Sequence, residues 1–397
     1  MPADTTILRA DRVLRPDGRL APGWVTVTAG RITAVSEHRP AGTDAAAVHD
    51  LEGTLAPGYV DLQFNGAHGI DLGAADFDDW QQVLRRLPAS GVTSILATFV
   101  SAPAERLLAM LDVARQAGSR NDPTSAHLAG VHLEGPYLAP DWRGAHQPAF
   151  LRLPDPVLTD TLLEVGRGLL AMMTLAPELE GAGACIETLT RAGVVVAIGH
   201  TGADAAAVSA AADRGARLVT HLYNAQTPLH HRNPGVVGQA LTDPRLAVSI
   251  IADLEHVAPA PLRLAFSSKP RKVALVTDCV AAAGMTTGSH LMPDGEVLVN
   301  EGRAPRRPDG TLAGSALRMD SAVRNAVAVG VPVADALMAA STVPATLLGR
   351  TDIGRIQPGA RADLVELDAE LRPVRVWVGG ACVFDVTSST FVSGPAL

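Results

Sequence analysis

The run VVVAIGHTG, residues 194–202, is four β-branched or small apolar residues and an isoleucine that stop at Gly199 and then present His200. A short apolar run that ends in a polar residue beside turn-prone neighbours is the pattern of a buried parallel strand with a functional group at its carboxyl end. The same pattern recurs in VHLEGPYL (131–138), which presents Glu134, and in ARLVTHLYNA (216–225), which presents His221. One carboxylate and two imidazoles match the three-ligand sets of catalytic zinc sites, which leave coordination room for water. A further run, VALVTDCV (273–280), presents Asp278, a carboxylate placed to accept a proton from such a water. A single strand-end His or Glu more often caps a helix or holds a loop. Four of them at strand ends argue for one hydrolytic site.

Working outward from these runs, the eight segments YVDLQFN, VTSILATF, LAGVHLE, AMMTLAP, VVVAIGH, ARLVTHL, AVSIIAD and VALVTD all read as strands, separated by Ala- and Leu-rich helical stretches. Eight strand–helix units predict an α/β fold of the (β/α)8 TIM-barrel type over residues 58–350. Active sites of this architecture lie at the carboxyl ends of the strands. Polar residues gather there: Gln63, Asn65, Glu134, Pro177–Glu178, His200, His221, Asp253, His256 and Asp278. Residues 1–57 and 351–397 alternate apolar with polar and carry turn signals, so the two ends are expected to pair into a small β-sandwich domain.

With 397 residues, 47% hydrophobic and 19% charged, the chain can bury a large core. A net charge of −8 without a basic block argues against nucleic acid or an anionic membrane as partner. No apolar stretch of about 20 residues spans a bilayer and no signal segment opens the chain, so a cytoplasmic enzyme acting on a small molecule is expected. Three widely spaced cysteines, Cys185, Cys279 and Cys382, suggest neither a disulfide framework nor a Cys-based metal cluster. Strand alternation turns Cys279 away from the face that Asp278 uses. His38, His49, His127 and His290 read as ordinary histidines, and the pair His230–His231 stays open between loop and site.

Taken in order, APGYVDLQFNG, GVHLEGPYL, AIGHT, VTHLYNAQTPLHHRNPG, IADLEHV, LVTDCVAAAG, LAGSALRMD and GRIQPGARADLVELD resemble the amidohydrolase superfamily and, within it, the N-acetylglucosamine-6-phosphate deacetylase family, over essentially the whole chain. The resemblance implies Glu134, His200 and His221 as metal ligands and Asp278 as the catalytic carboxylate. It places Ala145 and His146 in a substrate-reaching loop, where His146 helps polarise the acetamide carbonyl. It assigns sugar-phosphate contacts to Asn224, Ala225, Arg232, His256 and the Leu312–Ala313–Gly314 turn. Arg232 is the physically sensible phosphate partner, because its planar fork can donate two parallel hydrogen bonds.

Two departures qualify what the resemblance implies. Many amidohydrolases carry His-x-His at the end of the first strand and hold two metals, whereas this chain has Gln63-Phe64-Asn65. Neutral amides are poor ligands for zinc-like ions, so one divalent ion per chain is expected, zinc first and ferrous iron or another divalent ion as alternatives. The second departure is Leu254-Glu255 before His256, where similar deacetylases often have Gly-Leu; a Glu255 carboxylate facing the pocket would oppose a phosphorylated ligand. The implied activity is removal of acetate from N-acetylglucosamine 6-phosphate to give glucosamine 6-phosphate, by a homodimer, with deacetylation of another N-acetyl amino-sugar such as the galactosamine epimer, or a silent metal- and sugar-phosphate-binding regulator, as alternatives.

Overall fold

Local chemistry starts and stops the repeating units. Asp76, Asp155 and Asp204 each sit just before a helix and accept hydrogen bonds from its first turn, at 3.0 Å from Asp79 N, 2.9 Å from Val157 N and 2.8 Å from Ala207 N. Such caps satisfy amides that have no partner within the helix. Pro156 and Pro259 occupy the first position of their helices, where a missing N–H costs nothing. The computed structural model describes residues 5–41, 46–119, 122–291, 297–301 and 304–387, so the outermost ends of the expected small domain, 1–4 and 388–397, lie outside the described residues.

The chain opens with β1 (Thr5–Leu14), β2 (Leu20–Thr28), β3 (Arg31–Ser36) and β4 (Ala47–Pro57). Barrel strands follow: β5 (Tyr59–Phe64), β6 (Val92–Val100), β7 (His127–Glu134), β8 (Leu170–Leu175), β9 (Val195–Ile198), β10 (Leu218–Val219), β11 (Ala247–Ile251) and β12 (Val273–Val276). These eight are parallel and each pairs with the next. The ring closes between β12 and β5, where Asp278 N donates to Gln63 O at 2.8 Å and Asn65 N to Cys279 O at 3.0 Å. Helices α1 (Phe77–Arg86), α2 (Ala104–Ser119), α3 (Pro156–Val165), α4 (Ala182–Arg191), α5 (Ala205–Asp213), α6 (Gly235–Thr242), α7 (Pro259–Ser268) and α8 (Met319–Ala328) follow the strands one for one. This is the (β/α)8 barrel expected from the alternating runs.

Between β12 and α8 the chain inserts a hairpin, β13 (Gly288–Leu291) and β14 (Val297–Asn300), which the sequence reading does not anticipate. Beyond α8, after two further short helices, β15 (Leu364–Leu367), β16 (Pro373–Val378) and β17 (Ala381–Asp385) join β1–β4 in one seven-stranded sheet, ordered β17-β16-β15-β4-β1-β2-β3. The sheet curls over a core of Leu8, Val25, Ile32, Leu55, Leu364 and Trp377. Residues 359–362 strap its two ends together: Ile32 N donates to Ala360 O, Ala362 N to Gly30 O and Gly380 N to Ala362 O, each at 2.9 Å. The chain ends thus build a closed β layer over their own core, which is the expected sandwich. Leu14, Ala56, Val365 and Val376 on its other face pack into the main core.

Candidate active site

Each barrel strand is apolar because it is buried on both faces, and the polar residue that ends it is the first one free to face a cavity. Glu134 is the last residue of β7, His200 follows β9 by two positions, His221 follows β10 by two and Asp278 follows β12 by two. His200, His221 and Asp278 have φ of 49°, 30° and 48°, the left-handed region that residues with a Cβ avoid. Such a conformation costs about 1–3 kcal/mol per residue and persists only where the surroundings over-determine it. Here it turns each side chain from the strand direction inward over the mouth of the barrel.

Glu134 Oε1 lies 3.3 Å from His200 Nε2 and 3.0 Å from His221 Nε2, and the two imidazole nitrogens are 3.1 Å apart. Among the described residues this is the one group of three buried His, Cys, Asp or Glu side chains able to hold a metal ion. His200 Nδ1 donates to Trp142 O at 3.0 Å, so its Nε2 carries a lone pair. That lone pair points at a carboxylate oxygen and at a second imidazole nitrogen, an arrangement that calls for a cation between them. The residues therefore fit a divalent metal.

Burial alone would raise the Glu134 carboxyl, but the facing imidazoles of His146, His200 and His221 hold it well below the usual carboxylate range. Burial pushes His200 down to about 4. Burial also pushes Asp278 up to about 7, with the Glu134 charge adding to it, and this leaves its carboxyl able to take and return a proton near neutrality. Asp278 Oδ1 accepts from Gln63 Nε2 at 3.1 Å and from Asn65 Nδ2 at 2.9 Å. Gln63 Nε2 also donates to Glu134 Oε1 at 2.9 Å. The two amides that replace His-x-His thus orient carboxylates with their N–H groups, and their own oxygens have no hydrogen-bond partner.

One cavity of about 600 Å³ takes in Glu134, His200, His221 and Asp278 together with Ala145, His146, Asn224, Ala225, His256 and Leu312–Gly314. The structure therefore brings together all but one of the residues assigned as metal ligands, catalytic groups or sugar-phosphate contacts. Arg232 is the exception. It is exposed, lies outside the residues lining that cavity, and its Nη1 sits 2.8 Å from His231 Nε2. The motif TPLHHRNPG places Arg232 close in sequence to Asn224, but the loop carries it away to the surface. His256, by contrast, does line the cavity, and its Nδ1 lies 2.6 Å from Asp253 Oδ2. Glu255 is exposed and is not among the lining residues, so its side chain does not face the cavity. Glu178 binds Thr201 Oγ1 and Gly202 N at 2.5 and 2.7 Å, fixing the loop after β9 rather than facing the cavity. Cys279 turns away, with Sγ 3.4 Å from Gly66 O and its thiol pushed well up by burial.

Sequence reading missed Ser101, Trp142 and Arg306, all of which line the cavity. Ser101 directly follows the run VTSILATFV, so its strand-end position was visible. Trp142 acts through a backbone carbonyl, which no side-chain pattern announces.

A barrel that gathers a Glu-His-His cluster and a proton-accepting carboxylate at its strand ends is a hydrolase, and this chain belongs to the amidohydrolase family, which it matches over residues 54–396. Its relatives are deacetylases of amino-sugar phosphates. The N-acetylgalactosamine-6-phosphate deacetylase of Escherichia coli O157:H7 is 38% identical over 382 residues, covering 95% of this chain and 98% of its own length. The N-acetylglucosamine-6-phosphate deacetylase of Bos taurus is 39% identical over 348 residues, covering 84% of each. Among solved structures, an aspartate-to-alanine variant of the Mycobacterium smegmatis N-acetyl-D-glucosamine-6-phosphate deacetylase, in complex with N-acetyl-D-glucosamine-6-phosphate, superposes with a TM-score of 0.89 at 35% identity. That match covers 96% of this chain and 100% of the other.

Proposed function

We propose that this enzyme hydrolyses the acetamide of N-acetylglucosamine 6-phosphate to glucosamine 6-phosphate and acetate. The observation that carries the proposal is the single cavity in which the Glu134–His200–His221 cluster, Asp278 and His146 meet the residues suited to a sugar phosphate. Glu134, His200 and His221 would hold one divalent ion, zinc by preference for a mixed carboxylate–imidazole set, with ferrous iron the other option. When bound, such an ion lowers the pKa of its water and draws electron density from a carbonyl oxygen.

The chain's own groups supply the rest. Asp278 takes the proton of the attacking water on its free Oδ2, since Oδ1 is occupied by Gln63 and Asn65. The same carboxyl then returns the proton to the sugar nitrogen, because an amide anion is too poor a leaving group to depart unprotonated. His146 donates from Nε2 to the carbonyl oxygen as negative charge develops there. Asn224, Ala225 and the Leu312–Gly314 turn take the sugar, and His256, held by Asp253, meets the phosphate. The barrel carries the chemistry, and the sheet of β1–β4 with β15–β17 braces it. Arg232, exposed in one chain, is available to a second copy in a homodimer.

The galactosamine epimer is the second reading, because the relative from Escherichia coli O157:H7 that covers nearly all of this chain is named for it. Acetate release from N-acetylglucosamine and N-acetylgalactosamine, each with and without 6-phosphate, separates the two. The proposal expects the highest kcat/KM with N-acetylglucosamine 6-phosphate. A preference for the galactosamine phosphate would reassign the sugar, and equal rates with and without phosphate would remove the phosphate assignment.

A further inference from the structure

His146 helps catalysis only if its Nε2 carries a proton, and neither the metal ligands nor Asp278 sets that tautomer. The ring is buried, 5% exposed, and lies edge-on to His200 with centroids 4.6 Å apart. Its Nε2 stands 3.6 Å from Glu134 Oε2, too long for a hydrogen bond, so a proton there is not consumed by the carboxylate. The other nitrogen is different. Ser101 N donates to His146 Nδ1 at 3.3 Å, and Ser101 Oγ lies 3.0 Å from the same atom.

A backbone amide can only donate, so Nδ1 is an acceptor and the ring's proton is driven to Nε2; the Ser101 hydroxyl, which also has Glu134 O as an acceptor at 3.4 Å, gives its one proton to the nearer Nδ1 at 3.0 Å. Ser101 is itself 5% exposed and wedged against the turn after β7: its Oγ lies 3.4 Å from Glu134 O, and a Cβ on Gly135 would come within 2.2 Å of it. The hydroxyl therefore has little freedom to turn away.

We infer that Ser101 is a positioning residue, one that holds His146 in the Nε2–H tautomer and aims that N–H at the carbonyl oxygen of the substrate. The inference rests on the deacetylase reading above, in which His146 polarises that carbonyl. Ser101 meets Glu134 only at its backbone carbonyl, not at its coordinating carboxylate, so the route from Ser101 to the reaction runs through His146.

A double-mutant cycle on the metal-loaded enzyme tests this, using Ser101→Ala, His146→Ala and the pair. Ser101→Ala keeps the backbone amide and loses the hydroxyl, so kcat should fall about tenfold, the worth of one hydrogen bond, with KM nearly unchanged. In the His146→Ala background the same change should cost nothing further. Equal losses in both backgrounds would overturn the inference, because a general structural role would be additive. If His146→Ala leaves kcat intact, the polarising role falls and the inference with it, a failure distinct from additive losses on a damaging His146→Ala. Nitrogen-15 spectra of the wild-type imidazole give an independent check that needs no variant: a bare Nδ1 and a protonated Nε2 are expected, and a protonated Nδ1 in the neutral ring would refute the assignment.

Discussion

Replacing Asp278 by Asn isolates proton transfer from everything else that residue does. The new side chain can keep its Oδ1 on the Gln63 and Asn65 amides, now at 3.1 and 2.9 Å, and leave Nδ2 where the free carboxylate oxygen stood. Asn also tolerates the left-handed backbone, φ 48°, better than residues other than Gly and Asp. Fold and metal content should therefore be preserved. What is lost is a group that takes a proton and later returns it, and a positioned acid–base contributes about 10²- to 10⁴-fold. Because Asp278 serves in both directions, kcat should fall by about 10³- to 10⁴-fold, or roughly 4–5.5 kcal/mol of barrier. Asp278→Ala makes the comparison sharper, since it leaves Asn65 Nδ2 without an acceptor and Gln63 Nε2 with Glu134 alone, puts a residue less suited to φ 48° at that turn, and should cost about 1–3 kcal/mol of stability as well. Steady-state acetate release, metal analysis and thermal unfolding on the same preparations read all three quantities. A kcat for Asp278→Asn within tenfold of wild type, with metal bound, would show that another group moves the proton.

Glu134→Gln and His200→Ala should lose bound metal and activity together, and elemental analysis of the wild type should find one divalent ion per chain; two bridged ions would refute the orienting role given to Gln63 and Asn65. His256→Ala should raise KM for the phosphorylated sugar far more than for the free sugar. Arg232→Ala should do so only if a second chain brings that guanidinium to the cavity, which sedimentation of the wild type at dilute and assay concentrations can relate to activity. Burial pushes Asp61 up to about 7, against hydrogen bonds from Thr277 and Gln63 that pull it down. Its folded form thus binds a proton that the unfolded chain has released above about pH 4, so stability falls as pH rises from about 4 to 7. Thermal unfolding of Asp61→Asn should show a flatter dependence across that window than wild type, and parallel curves would contradict the assignment.

The barrel strands and four key site residues were legible in the sequence for one reason. A strand buried on both faces must be a continuous apolar run, so the residue that breaks the run marks the strand's end, and Glu134, His200, His221 and Asp278 each break one. The small sheet was legible through alternation, because one of its faces meets its own core and the other the barrel. Neither pattern contains distances or tautomers. That the His200 lone pair meets Glu134 depends on the carbonyl of Trp142, and the proton on His146 depends on Ser101, partners 58 and 45 residues away. Arg232 shows the converse: nearness in sequence to Asn224 says nothing about which way an exposed loop carries a side chain. Periodicity records what each residue must avoid, water or the core. Only the closed barrel decides which polar groups face one another, because that follows from strand order and from the left-handed turns at His200, His221 and Asp278.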